Sequence, residues 1–267
     1  MVLDVDSVLL DLGIVQIHYY SLTMFLGFFV GGILYFRECK KHKIDNEKST
    51  DLLFWTVIVS IIGSRIWFVL FNLDYYLNNF LDIFKVWEGG LAIHGGIIAS
   101  IVLIYFYTKK HKIPLVKMLD IMAVSLIIGQ VIGRWGNFFN SEAHGGIVSL
   151  EFLQSIHLPK FIIDGMFIGG AYYHPTFLYE GFLNLLGFTC FILIRKYYKN
   201  LKVGMLSGMY LIWYGIVRFF VEAMRTDKLM LGSMSVAQSI SVISLVTGIC
   251  LLYHFSRSNK LYRDVSA

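Results

Sequence analysis

Seven apolar stretches organise this chain of 267 residues, at about 19–36, 52–71, 90–108, 118–138, 175–194, 204–223 and 234–255. As helices rising about 1.5 Å per residue, they match a hydrocarbon core of about 30 Å. The pattern predicts an all-α integral membrane protein with about seven transmembrane helices. Short basic segments follow every second stretch: Arg37 to Lys48, Lys109 to Lys117, Arg195 to Lys202, and Arg257 to Arg263. Basic loops stay on the inner side of a membrane. The N-terminus is therefore expected outside and the C-terminus inside. The outer loops are then 72–89, 139–174 and 224–233, and only 139–174, between spans four and five, is long enough for a small extracytoplasmic cap. No linker, internal repeat or low-complexity segment divides residues 1–267, which are read as a single polytopic membrane domain. The pairs Gly27/Gly31 and Gly129/Gly133 have the four-residue spacing that permits close helix packing.

Composition agrees with the pattern. The chain is 57% hydrophobic and 15% charged, which a soluble domain rarely reaches. Its net charge of +5 resides mostly in the loops, so it reports topology and no nucleic-acid partner is expected. The N-terminus carries Asp4, Asp6 and Asp11 and no basic residue before Arg37, which argues against a cleaved signal peptide. Cys39, Cys190 and Cys250 form neither a disulfide framework nor a metal spacing. His18, His144 and His174 match no zinc motif, and neither a metal nor a cofactor is expected.

The polar residues inside the apolar stretches share a depth. Tyr20 lies 17 residues from Arg37, Arg65 17 from Lys48, His94 15 from Lys109, Arg134 17 from Lys117, Glu180 15 from Arg195, and Arg218 16 from Lys202. Each count converts to about 22–25 Å above the inner boundary. Local packing alone would scatter these groups. A common plane near the headgroup boundary of the outer leaflet reads as one site.

Arg134 and Arg218 come from different spans and can grip a phosphate bidentately. Their alternative is an internal salt bridge with Glu142, Glu180 or Glu222. Tyr214, Arg218 and Glu222 recur every four residues and line one helix face, which Arg225 extends outward. That stripe faces a cavity or another helix, since lipid would not solvate it. His94 sits among four glycines in Glu88-Gly89-Gly90-Leu91-Ala92-Ile93-His94-Gly95-Gly96. An imidazole can act as a base near neutral pH, or simply hydrogen-bond between helices. Asn137, Asn140, Ser141 and Glu142 follow Arg134; they position it, bind glycerol hydroxyls, or cap the span. Arg65 is either a third phosphate contact or a partner for the Glu180 carboxylate. No G-x-S-x-G, P-loop or dinucleotide fingerprint is present, so a nucleophile would come from the substrate.

The chain resembles the prolipoprotein diacylglyceryl transferase family. The resemblance rests on HYYS at 18–21, EGGLAIHGG at 88–96, GRWGNFFNSEAHGG at 133–146, HPTFLYEG at 174–181 and YGIVRFFVEAMRTD at 214–227. It implies the first step of bacterial lipoprotein maturation, at the outer leaflet of a bacterial plasma membrane. The diacylglyceryl group of phosphatidylglycerol passes to the lipobox cysteine of a prolipoprotein signal peptide, and glycerol phosphate is released. Carried over by motif, the functional positions are Tyr20, His94, Arg134, Asn137, Glu142, Gly145, Tyr214, Arg218 and Glu222. Two positions depart from the family pattern: Ser21 ends the first motif where a glycine is usual, and Ser235 stands where many relatives carry a basic residue. The mechanism implied holds the phosphate between Arg134 and Arg218, with His94 as base for the incoming thiol. A transporter or anion channel would need polar groups through the full depth or repeat symmetry. The inner halves of the spans are apolar instead. A non-catalytic lipid-binding scaffold would bind phosphatidylglycerol without turnover.

Overall fold

The computed structural model describes residues 8–11 and 16–265. Among the described residues, ten α-helices run in the order α1 (Tyr19–Lys41), α2 (Asn46–Leu70), α3 (Leu73–Asn78), α4 (Ile93–Lys110), α5 (Leu115–Phe139), α6 (Leu150–Ser155), α7 (Lys160–Gly165), α8 (Thr176–Tyr197), α9 (Met205–Met224) and α10 (Val236–Ser256). Short strands accompany them: β1 (Val8–Asp11), β2 (Gln16–His18), β3 (Ile147–Val148), β4 (Phe167–Ile168), β5 (Ala171–Tyr173), β6 (Met230–Leu231) and β7 (Met234–Ser235). The helices match the apolar stretches and overrun them at the basic ends. Lys40 and Lys41 close α1, Lys109 and Lys110 close α4, and Arg195 and Lys196 lie in the last turn of α8. A cation there complements the negative end of the helix dipole.

Among the described residues, five helices are long and apolar enough to cross a membrane: α1, α2, α5, α8 and α10. The other two expected spans fall on α4 and α9. α4 carries His94 and ends in two lysines, and α9 carries Arg218 and Glu222. The side-chain distribution is that of an integral membrane protein. Large apolar residues point outward, as at Phe25, Phe106 and Ile243, while Glu180, Asn184 and Glu222 are buried.

The fold divides into two compact units, residues up to Tyr35 together with Leu119–Asp264, and Phe36–Met118 with the last residues. In the first unit, α9 packs along α10. Gly208 meets Gly248 and Leu252, and Gly215 meets Ser241 and Leu245, so backbones approach where side chains are absent. Gly27 faces Gly129, and Gly31 faces Ser125, at the approach of α1 to α5. A core of Val124, Ile127, Phe191, Leu201, Leu206 and Tyr262 fills one end. There Asp120, fully buried on α5, caps α9 from outside that helix. Gly204 offers no capping side chain. Asp120 Oδ2 accepts its N–H at 2.6 Å, and Oδ1 accepts the Ser207 N–H and Oγ–H at 2.8 and 2.7 Å. Ser235 caps α10 in a reciprocal capping box with Gln238, giving that departure from the family pattern a structural role.

The cap segment 139–174 shows no clear period in sequence, yet it contains α6, α7 and an antiparallel sheet in the order β3-β5-β4. Phe138, Leu153, Ile162, Met166 and Phe177 form its core. In the second unit, α2 crosses α4 backbone to backbone. A Cβ on Gly95 would lie 2.3 Å from the Gly63 carbonyl oxygen. The expected loop 72–89 carries α3 and two 3-10 turns, Phe80–Phe84 and Val86–Glu88.

Candidate active site

In the first unit, the polar residues of four helices collect at one end. Tyr20 lies in the first turn of α1 and Glu180 in the second turn of α8, while Arg134 and Arg218 lie in the last two turns of α5 and α9. Arg195 and Lys196 mark the opposite end of α8.

Glu180 is the centre of the arrangement and is 3% exposed. Its Oε1 lies 2.8 Å from Arg134 Nη2, and its Oε2 lies 3.4 Å from Arg218 Nη1. One carboxylate thus holds two guanidiniums from different helices. Arg218 Nη2 also donates to Glu222 Oε2 at 2.7 Å, one turn along α9. Arg134 Nη1 donates to Asn137 Oδ1 at 3.2 Å, and Asn137 Nδ2 donates to Glu142 Oε1 at 2.8 Å. The internal salt bridge weighed for the arginines is therefore present. Their side chains nevertheless keep 22% and 14% exposure, so neither residue is fully enclosed.

The exit from α5 brings Glu142 back over the helix. Ser141 and Ala143 take left-handed conformations, with φ of 51° and 59°. Side chains other than glycine enter that region at some cost, and here it reverses the chain so that Glu142 N–H reaches the Asn137 carbonyl at 3.0 Å. Gly145 then joins three segments. Its N–H donates to the His174 carbonyl, and it bridges to Arg225 at the end of α9. A Cβ there would lie 2.6 Å from His174 Cβ, so glycine is required for close approach. Thr176 Oγ1 donates to the Ala143 carbonyl and ties the same turn to α8. His174, just before α8, meets Tyr179 Oη at 3.1 Å through Nδ1, and burial lowers its pKa below 6.5.

Tyr20 packs over Gly136 on α5, where a Cβ would come within 2.9 Å of its ring. Tyr214 lies one turn from Arg218 on α9 and stacks on Tyr210, with ring centroids 6.3 Å apart.

The second unit places Arg65 and His94. Arg65 is buried, and its guanidinium donates to the backbone carbonyls of Asp82, Ile83, Gly89 and Gly90. Within that unit it fastens the loop after α2. His94 is exposed in the first turn of α4, and the glycines that follow it pack against Gly63, Ser60 and Ser64 on α2.

The family described as prolipoprotein diacylglyceryl transferase matches residues 7–254. The chain belongs to the prolipoprotein diacylglyceryl transferase family. A phosphatidylglycerol--prolipoprotein diacylglyceryl transferase of Listeria innocua is 42% identical over 249 residues, covering 93% of this chain and 89% of that protein. The similarly named proteins of Halalkalibacterium halodurans and Staphylococcus xylosus are 41% and 43% identical, covering 98% and 93% of this chain and 90% and 88% of theirs.

In this member of the prolipoprotein diacylglyceryl transferase family, Asp227, Gln130 and Tyr210 carry no strong sequence signal. Arg225 pairs with Asp227 at 2.7 Å and lies 4.0 Å from Glu222, extending the ionic chain outward. Hydrogen bonds from Arg225 hold the Asp227 carboxyl below the usual carboxylate range. Gln130 and Tyr210 form a polar pair on α5 and α9 at 2.9 Å. The four-residue spacing of Gln130 before Arg134 and of Tyr210 before Tyr214 was the available clue.

Proposed function

We propose that this chain transfers the diacylglyceryl group of phosphatidylglycerol to the lipobox cysteine thiol of prolipoproteins and releases glycerol phosphate. The observation that carries the site assignment is the convergence of Arg134 and Arg218 on the single buried carboxylate of Glu180. A carboxylate that uses one oxygen on each arginine fixes both forks side by side. A phosphodiester then meets two preoriented donors on their open edges.

The lipobox thiol gives its proton to His94, and the thiolate attacks the diacylglycerol carbon that bears the phosphoester oxygen. A C–S bond forms, the C–O bond breaks, and its electron pair leaves with the glycerol phosphate. Negative charge grows on that phosphate, where Arg134 and Arg218 stabilise it. Glu180 and Glu222 orient the arginines, and Asn137 and Glu142 hold Arg134 from the cap side. Tyr20 and Tyr214 line the lipid, and Gly145 keeps the cap backbone close. Arg65 shapes the outer loop. The chain acts as one polytopic domain of seven spans, with the N-terminus outside and the C-terminus inside. The shared depth of its polar groups supports a site at the outer leaflet of a bacterial plasma membrane.

Replacing Arg134 or Arg218 by Ala is expected to lower turnover by about 100- to 1,000-fold, as for other lost charge-stabilising contacts. Transfer to a lipobox peptide measures it, beside thermal unfolding in detergent. Wild-type turnover in folded Arg134→Ala overturns the phosphate assignment.

A further inference from the structure

The polar seam between α5 and α9 continues below the arginines. Gln130 precedes Arg134 by one turn on α5, and Tyr210 and Tyr214 precede Arg218 at four-residue intervals on α9. Gln130 Nε2 donates to Tyr210 Oη at 2.9 Å, so the two faces meet at this level. Four residues of helix place the pair about 6 Å further from the cap than the arginines.

An amide and a phenol inside apolar helices are costly unless their hydrogen-bonding capacity is used. The mutual bond uses only part of it. Tyr210 retains its O–H donor, and Gln130 retains a second amide N–H. Among the described residues, neither side chain makes a further hydrogen bond. Gln130 is only half-buried, and its amide oxygen is absent from the fully enclosed, unpartnered atoms, where Trp213 Nε1 stands. The Gln130 amide is therefore not fully enclosed, and the Tyr210 O–H beside it has no protein acceptor among the described residues.

We propose that Gln130 and Tyr210 bind the ester carbonyls of the phospholipid held by Arg134 and Arg218. The proposal rests on the phosphate assignment above and extends it into the membrane. In a phosphodiester lipid the ester carbonyls follow the phosphate toward the acyl chains. They accept hydrogen bonds and donate none. Two donors one turn deeper than the arginine pair, on the same two helix faces, match that order. The pair makes the site selective for diacyl over dialkyl lipids, a discrimination that charge alone does not give.

The test compares diacyl phosphatidylglycerol with its dialkyl ether analogue, which lacks the carbonyls. Each lipid is titrated onto the purified full chain in detergent, and binding is read from the rise in Tm. Wild type is expected to bind the diacyl lipid about five- to twenty-fold more tightly, for one or two neutral hydrogen bonds. Gln130→Leu and Tyr210→Phe each reduce that ratio by about five-fold. Equal binding of the two lipids by wild type overturns the proposal. So does a ratio left unchanged in the variants while both lipids weaken together, which is the result of a packing role or of a contact with the peptide substrate. Tyr210→Phe removes a single hydroxyl and decides alone if Gln130→Leu does not fold. Arg134→Ala should weaken both lipids alike, because the phosphate is common to them. Failure of that control strikes the phosphate assignment and leaves the ester ratio to be judged separately.

Discussion

Removing the charge of Glu180 should cost stability and, at the same time, strengthen the binding of a free anion at the arginines. In the native protein its two oxygens lie 2.8 and 3.4 Å from guanidinium nitrogens of Arg134 and Arg218. At an effective dielectric of about 20, opposite unit charges about 3 Å apart attract by about 5 kcal/mol. Desolvation of the carboxylate offsets part of this, and losing one member of a buried ionic group typically costs about 3–5 kcal/mol. The arginines are partly exposed, so the lower end applies, about 3 kcal/mol. In Glu180→Gln, Arg218 keeps Glu222 at 2.7 Å, whereas Arg134 keeps only the neutral Asn137 oxygen at 3.2 Å. An added anion can replace the missing carboxylate. Inorganic phosphate at about ten times its Kd should return about 1.4 kcal/mol. Thermal unfolding in detergent, in chloride and in phosphate at matched ionic strength, measures both effects. The variant should unfold well below wild type in chloride and gain more stability from phosphate than wild type does. Equal stabilisation of the two proteins by phosphate refutes the reasoning, as does a variant as stable as wild type.

Asp120→Ala removes three hydrogen bonds to the start of α9 and leaves two backbone N–H groups unpaired in a buried place, so it should destabilise by about 3 kcal/mol in denaturant or thermal unfolding. Burial lowers the pKa of His174 from 6.5, so the unfolded chain binds its proton more readily than the folded one. Stability from this group is present above pH 6.5 and is lost as pH falls through the folded value, and His174→Gln should flatten the acid side of the Tm–pH curve. His94→Gln should abolish the acid limb of the pH–rate profile for transfer, and an unchanged profile with retained rate removes His94 from the role of base.

The long helices were legible because each apolar run is long and has a basic segment at one end. The common depth of Tyr20, Arg134, Glu180 and Arg218 was legible by counting from those ends, and the first unit collects all four at one end. Whether the arginines meet a ligand or an internal carboxylate was not legible. Both outcomes need the same residues at the same depth, and only the folded structure places Glu180 between them. Arg65 read as a phosphate contact or a carboxylate partner, yet its donors end on backbone carbonyls of a loop, which no side-chain pattern encodes. The sheet of the cap escaped notice because strands of two or three residues are too short to show alternation. Asp120 escaped because the turn it caps lies 84 residues away in sequence.

The most direct measurement uses the purified protein, phosphatidylglycerol and a lipobox peptide carrying either Cys or Ser at the acceptor position. Mass spectrometry follows the peptide, and a coupled assay follows glycerol phosphate. A diacylglyceryl mass gain on the Cys peptide alone, matched by glycerol phosphate release, is the predicted result. Folded protein that binds phosphatidylglycerol but leaves both peptides unchanged would contradict the account and favour a lipid-binding scaffold.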